Sequence, residues 1–175
     1  MDFTFFETLS KDDAERFLAN FLSVESRVID ETMAQAESEG VTLILGTSSI
    51  KPMLSWIFQK LKTTPKAADM TLPHWISATD SYKRGLFNFD QPSKILILRA
   101  AYFLGASFVR DYSQLCWGTG KRETALQNMP VIKGFKLNLE MPPILVTQNL
   151  AGRIQEQNAP ISIVDTAIET WISKI

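Results

Sequence analysis

Cysteine and histidine are nearly absent from the sequence, which contains one of each among 175 residues. Cys116 has no second cysteine with which to form a disulfide within the chain. Because His74 is the only histidine, a histidine-rich metal site or a two-histidine mechanism is excluded. We therefore expect no metal and no cofactor, and a fold that is stabilised by its hydrophobic core.

Long apolar runs are also missing. The most apolar window, residues 95–109, contains Arg99 and is shorter than the roughly 20 residues that a membrane-spanning helix needs. The opening residues, MDFTFFE, lack the positive start and the long apolar segment of a secretory signal. These observations predict a cytoplasmic protein with no membrane partner.

Neither sign of charge dominates the chain. Eighteen basic and nineteen acidic residues leave a formal net charge of −1. The basic residues occur in scattered pairs, whereas a general nucleic-acid-binding protein needs a dense basic stripe to displace the counterions of phosphate. We therefore expect no nucleic-acid partner. An apolar share of 45% predicts a folded chain.

The stretch from Pro92 to Tyr112 is the longest apolar segment and predicts a buried central helix. At about 100° per residue, its apolar side chains cover an arc of about 160°, which is wider than a one-sided surface helix needs. Other elements must therefore pack around it. Arg99 and Arg110 lie on the opposite face, about 16 Å apart along the axis, which is too far for both to hold one small ligand.

Helical periodicity recurs on both sides of this segment. Ser10 is expected to cap a helix over residues 11–38, as one rod or as two helices if Ser23 or Ser26 caps a second one. Residues 41–45 fit either a strand or an extended linker. Three further helices are predicted, from Ile50 to about Lys62, from Pro143 to about Gln155, and from Ser162 to Ser173.

Two short β-branched and aromatic runs, residues 115–117 and 131–136, predict a small antiparallel sheet. Residues 63–91 form the longest irregular stretch. Because a long structureless linker is unusual inside a compact domain, we expect residues 72–76 and 86–89 to pack onto the core. The sequence thus predicts a helix-dominated α+β fold, with residues 1–175 in a single domain of about five helices and one small sheet.

A glycine-rich segment, Gly118-Thr119-Gly120-Lys121, resembles part of a phosphate-binding loop but lacks its earlier glycine and its final Ser or Thr. We interpret it as a tight turn in which the glycines supply positive φ angles. The neighbouring Cys116 would be a nucleophile only if His74 or a cation lowered the pKa of its thiol. Since it lies between Leu115 and Trp117, we expect a buried and inert thiol.

Cations and an aromatic residue gather at the end of the central helix and in the loop that follows it. Together they suit an anionic group or the acidic patch of a partner. Arg110 has a second interpretation, because a cation near a helix C-terminus is stabilised by the helix dipole. The candidate binding residues are Arg110, Trp117, Lys121, Arg122 and, from a later segment, Arg153.

Part of the chain is similar to small uncharacterised bacterial domains of unknown function. The resemblance covers Tyr102 to Arg153 and rests on Tyr102-Phe103-Leu104-Gly105, Arg110, Trp117, Pro130 and the run Pro143 to Arg153 with Asn149-Leu150. Some of these domains resemble immunity-type or accessory proteins. The resemblance supplies no catalytic residues and implies binding rather than catalysis.

Two functional hypotheses follow. In the first, the protein is a non-catalytic cytoplasmic protein that binds another protein or a small anionic ligand. In the second, it is an enzyme that acts on an acidic or phosphorylated substrate near Arg110 and Trp117. A deep pocket lined by groups with shifted pKa values would favour the enzyme.

Overall fold

Helices dominate the part of the chain that the computed structural model describes, residues 4–65, 87–122 and 124–175. The helices are α1 Thr4–Glu7, α2 Lys11–Ser23, α3 Glu25–Ser38, α4 Ile50–Phe58, α5 Gln91–Asp111, α6 Pro143–Gln157 and α7 Ile163–Ile172. Short 3-10 turns lie at Thr47–Ser49 and Lys136–Asn138. The strands are β1 Thr63–Pro65, β2 Phe87–Phe89, β3 Cys116–Thr119 and β4 Pro130–Lys133. The helix-dominated α+β class predicted from the sequence is confirmed.

Helix α5 is the predicted central helix, and its bounds are within one residue of the prediction. The Asp90 side chain caps it by accepting a hydrogen bond of 2.8 Å from the Ser93 N–H. Phe103 and Phe108 are fully buried on it, and α3, α4 and α6 all pack against it. The predicted wide apolar arc is therefore covered by several elements.

By length and composition alone, α5 is apolar enough to cross a membrane, with a mean hydropathy of 1.2 over its most apolar window. However, 61% of that window is buried inside the protein. A core helix passes the same test, so the apolarity of α5 is explained by its packing.

The segment of residues 11–38, which the sequence left as one helix or two, forms two helices that meet at Val24. Ser10 caps the first as predicted, accepting a hydrogen bond of 3.1 Å from the Asp13 N–H. No side chain caps the second. Ser23, one of the two expected caps, instead donates to the Asn20 carbonyl.

Helix α4 ends at Phe58, four residues before the predicted end at Lys62. Ser49 precedes it, but the Ser49 side chain makes no capping hydrogen bond and instead accepts one from the Ile44 N–H. Residues 41–44 form the extended linker rather than the strand. On α4, Leu54, Ile57 and Phe58 are buried together with Trp56.

The predicted antiparallel sheet is the ribbon β3–β4, in which Cys116 pairs with Lys133 and Thr119 with Pro130. A second ribbon, β1–β2, pairs residues 63–65 with 87–89, and Phe89 is buried as expected. The strands β1 and β2 are too short for an alternation of apolar and polar residues to be recognised in the sequence. The prediction for residues 72–76 falls outside the described part of the chain.

The interpretation of Gly118 and Gly120 as positive-φ turn residues is wrong. Gly118 lies inside β3, and neither glycine is among the residues with positive φ. Both instead allow a close approach, because a Cβ on Gly118 would lie 2.8 Å from the Lys133 side chain and one on Gly120 would lie 1.8 Å from the Leu126 carbonyl oxygen. Packing against backbone requires glycine at position 120, whereas at position 118 the close atoms belong to the flexible end of the Lys133 side chain.

Candidate functional site

The five residues predicted from the sequence are distributed over different surroundings. Arg110 is exposed on the last turn of α5, with its guanidinium beside Gly46 and next to Asp111. Arg122 is exposed in the loop after β3. Arg153 borders a groove of about 440 Å³ between α6 and α7, whose lining includes Ser162, Thr166 and Thr170. These arginines do not converge on the cleft that contains Lys121.

Trp117 is held by the core rather than presented to solvent. Its indole lies against the backbone of Gly105 and contacts the ring of Phe21 edge to face, with centroids 5.5 Å apart. The indole N–H donates a hydrogen bond of 2.8 Å to the Glu25 carboxylate. Trp117 therefore links β3 to α3 and α5.

Burial around Trp117 raises the pKa values of two titratable groups, Glu25 and Tyr102. Desolvation raises the pKa of the Glu25 carboxyl, and the hydrogen bond from Trp117 opposes that rise only in part. Burial, with a smaller contribution from the charge on Glu25, raises the pKa of Tyr102 to about 12. The Tyr102 hydroxyl donates to the Phe21 carbonyl at 3.0 Å, so these groups serve the packing of α2 and α3 on α5.

Lys121 lines a cleft of about 290 Å³ between ribbon β3–β4 and the turn that follows it. We call this cleft, with both of its lysines and its buried carboxylate, the lysine cleft. Its lining residues are Lys121, Lys133, Gly134, Phe135, Asn138, Leu139 and Glu140. It combines basic, acidic and apolar groups within one small volume.

The chain builds this cleft by reversing direction after β4. Gly134 has a φ of 104°, and Leu137 and Asn138 are left-handed with φ of 57° and 53°, a conformation that only a few per cent of non-glycine residues adopt. The reversal returns Met141 to pair with Ile132 in an isolated antiparallel bridge. Glu140 is thereby placed beside the end of β4.

Glu140 is the buried group at the centre of the lysine cleft, with 6% of its side chain exposed. Its Oε2 accepts a hydrogen bond of 3.0 Å from the Lys121 N–H. Its Oε1 lies 3.5 Å from Lys133 Nζ but accepts no hydrogen bond. Buried polar atoms are nearly always partnered, and here the ion pair with Lys133 provides the partner of this oxygen.

The two ammonium groups of the cleft are both positioned by the protein. Lys121 Nζ donates to the Asn138 carbonyl at 2.7 Å. The Lys133 stem crosses Gly118, where a Cβ would lie 2.8 Å from its Cδ and Cε. Each ammonium has three N–H donors, so both keep donors for a ligand.

Sequence reasoning found Lys121 but missed Lys133 and Glu140. In the sequence, Lys133 is one member of a scattered basic pair with Lys136, and nothing in the local pattern distinguishes Glu140 from a solvated acid. The sequence signal for these two residues is Lys133 at a strand end, followed directly by Gly134 and, later in the chain, by Glu140 immediately before Met141. That spacing becomes informative only when Ile132 is known to pair with Met141.

Cys116 is exposed, so the prediction of a buried thiol is wrong. Trp117 takes the inward position on β3, where it pairs with the fully buried Ile132. Since successive strand residues face opposite sides, Cys116 must point away from that core. The apolar neighbours in sequence were therefore no guide to its environment.

In the described ranges, which omit residues 1–3, 66–86 and 123, no group of three or more His, Cys, Asp or Glu residues is arranged to hold a metal ion. No protein-family model, curated protein or solved structure matches the chain. The resemblance to uncharacterised bacterial domains stays a prediction, and functional conclusions must come from the geometry.

Proposed function

We propose that the protein is a non-catalytic binding protein that holds a small anionic ligand in the lysine cleft. The observation that carries this proposal is the pair of ammonium groups, Lys121 Nζ and Lys133 Nζ, in one cleft of about 290 Å³. Of the candidate binding residues predicted from the sequence, the cleft contains Lys121. Its second cation is Lys133 rather than one of the predicted arginines. Its expected cytoplasmic location also stays a prediction.

The fixed positions of the cleft residues support binding. The Lys136 N–H donates a hydrogen bond of 2.7 Å to the Lys174 carbonyl, which anchors the turn to the C-terminal end of the chain. The left-handed residues Leu137 and Asn138 cost conformational energy, and such strain clusters where a ligand is held. A site that is preformed loses less entropy when its ligand binds.

The enzyme hypothesis receives less support. The groups whose pKa values are shifted, Asp13, Glu25, Glu39, Asp90 and Tyr102, line neither the lysine cleft nor the groove at Arg153. Shifted groups in a pocket are the usual mark of acid–base chemistry. Their location in caps and packing contacts favours a structural role for them.

A titration followed by two-dimensional amide NMR tests the proposal, with acetate and inorganic phosphate as probes. We expect saturable shifts at the amides of Lys121 and Gly134. Hydrogen bonds to charged groups are the stronger class, so Lys133→Met should weaken binding about tenfold or more. Lys121→Met should act in the same direction, because its ammonium faces the same cleft.

The matched control is Lys136→Met, which removes an exposed lysine of the same turn that does not line the cleft. It should leave the affinity nearly unchanged. Equal losses in all three variants would mean that net charge alone attracts the anions. That result, or the absence of saturable shifts with either anion, would refute the proposed function.

A further inference from the structure

The most exposed large apolar side chain in the described part of the chain is that of Leu137, which is 88% exposed. It lies in the turn of residues 136–139 after β4, which we call the leucine turn. The backbone of Leu137 is left-handed, with φ of 57° and ψ of 23°, which is an outlier for a bulky residue. Such strain is maintained where a side chain serves a contact, so we looked for the partner of this leucine.

Three lysines surround the leucine turn, and all three are exposed. Lys136 belongs to the turn. Lys121 Nζ donates a hydrogen bond of 2.7 Å to the Asn138 carbonyl, and the Lys174 carbonyl accepts one of 2.7 Å from the Lys136 N–H. Within the described residues, neither Lys136 nor Lys174 is ion-paired to a carboxylate.

The carboxylate that follows the turn does not offset this positive charge at the surface. The Glu140 side chain is only 6% exposed and is paired with Lys133. Next to it, Leu139 adds a second apolar side chain that is 38% exposed. The surface around Leu137 therefore combines apolar and positive groups, and charge complementarity requires an anionic partner.

We propose that the leucine turn docks the protein on the surface of an anionic lipid bilayer. Leu137 enters the boundary between headgroups and acyl chains, while Lys121, Lys136 and Lys174 lie against the anionic headgroups. Peripheral membrane contacts combine apolar side chains with lysines in this way. The proposal goes beyond the anion site in the lysine cleft. The expectation of no membrane partner rested on the missing membrane span, which adsorption does not need.

The residue types of this surface favour a bilayer over an acidic protein. Lysine is depleted at protein–protein interfaces, and leucine is under-represented among their hot spots. Leu137 protrudes, so a protein partner would need a pocket shaped for it, whereas a fluid lipid surface accommodates a protruding side chain. Lipid headgroups also diffuse to the lysines, so the positions of the lysines need no fixed register with the anions.

Sedimentation with sucrose-loaded vesicles tests the proposal on the whole chain. The vesicles contain phosphatidylcholine, either alone or with about 30% phosphatidylserine as the anionic lipid. An anionic surface raises the affinity by about fivefold for each nearby lysine, so the three lysines should favour the anionic vesicles by roughly a hundredfold. Molar salt should remove this preference by screening. Soluble poly-glutamate represents an acidic protein in the same assay.

The chain offers a matched control for the leucine turn. Lys136→Gln with Leu137→Asn removes a lysine and the aliphatic side chain next to it, and asparagine adopts the left-handed conformation more readily than leucine. Lys94→Gln with Ile95→Gln removes the same chemistry near the start of α5, where Ile95 is 49% exposed. We expect the first pair to weaken binding to anionic vesicles about tenfold or more, and the second to change it by less than about twofold.

Equal binding to both kinds of vesicle, binding to neither, or equal losses in the two double variants would overturn the proposal. Binding to poly-glutamate without binding to vesicles would assign the turn to an acidic protein instead. If the first double variant does not fold, Leu137→Gly replaces it, because glycine accepts a left-handed backbone.

The titration with acetate and inorganic phosphate separates this proposal from the anion site. The lining of the lysine cleft includes neither Lys136 nor Leu137, so their double variant should bind these anions as the native protein does. Loss of vesicle binding in that variant with an unchanged anion titration is the expected result. Saturable anion binding without vesicle binding would overturn only the membrane contact, and vesicle binding without it would overturn only the anion site.

Discussion

The indole of Trp117 occupies the space where Gly105 would carry a side chain. A Cβ added to Gly105 would lie 2.2 Å from Trp117 Cζ2. Gly105 is in the middle of α5, where glycine is about 1 kcal/mol less favourable than alanine. The close approach of β3 to α5 therefore offsets a local cost in helix stability.

We predict that Gly105→Ala destabilises the protein although it improves helix propensity. Overpacking a filled site typically costs about 1–3 kcal/mol, and the clash here is with a ring that is itself held by Phe21 and Glu25. Urea denaturation would measure the change. A variant as stable as the native protein would mean that the indole can move aside.

The control is Gly152→Ala in α6, where an added Cβ would meet no atom within 4 Å. Here the gain in helix propensity is not opposed by a clash. We expect an increase in the free energy of unfolding of about 0.5–1 kcal/mol. A lower free energy of unfolding for Gly105→Ala, together with a higher one for Gly152→Ala, would identify the Trp117 contact as the cause.

Trp117→Ala and Arg110→Ala distinguish packing from recognition. Removal of the indole should cost about 3 kcal/mol, because it leaves a cavity at Gly105 and removes the hydrogen-bond donor of the half-buried Glu25. Arg110 is exposed, so its removal should change stability by less than about 0.5 kcal/mol. Thermal melting of both variants measures this, and a Trp117→Ala protein of native stability would contradict the structure.

Truncations on the buried face of α5 should be costly. We predict that Leu104→Ala and Phe108→Ala each lower the free energy of unfolding by about 2–5 kcal/mol, because both lose transfer energy and leave cavities. Leu104 is 2% exposed and Phe108 is fully buried. Ile95→Ala is the control, since Ile95 lies on the same helix but is 49% exposed. Similar denaturation midpoints for all three variants would be incompatible with a central α5.

Cys116 should react readily with a thiol reagent in the folded protein. It is exposed on β3, and access is one of the conditions for thiol reactivity. We expect labelling rates of similar magnitude in native protein and in urea. Cys116→Ser, which should not be labelled, shows that the signal comes from this residue. Strong protection in the native state would restore the buried thiol predicted from sequence.

Stability should fall at alkaline pH because of Tyr102. Burial raises its pKa from 10.0 to about 12, so between these values the unfolded chain loses a proton that the folded protein retains. The contribution is fully present below pH 10.0 and is lost as pH rises through 12. Unfolding curves of native protein and Tyr102→Phe, measured across this range, should converge as pH rises, and parallel curves would contradict the assignment.

Much of the helical fold could be predicted because its signals are local. The predicted cap at Ser10 holds its helix through a side-chain contact with a residue three positions away, and the apolar arc of α5 follows from a period of 3.6 residues. The segment of residues 11–38 divides at Val24 although Ser23 bonds to the carbonyl of Asn20 and caps no helix. Hydrophobic periodicity does not show which of several possible hydrogen bonds a polar side chain such as Ser23 forms.

The sequence by itself determined the helix-dominated class, the central helix and the pair β3–β4, because helical periodicity and runs of β-branched and aromatic residues are signals that extend over a few residues. Tertiary structure alone decided that Trp117 packs on Gly105, that Cys116 is exposed, and that Lys133 lies beside Glu140. The Lys133 and Glu140 contact depends on the return of the chain to Ile132 through two left-handed residues. Contacts set by a chain reversal are fixed by the packing of the whole molecule, which no local pattern records.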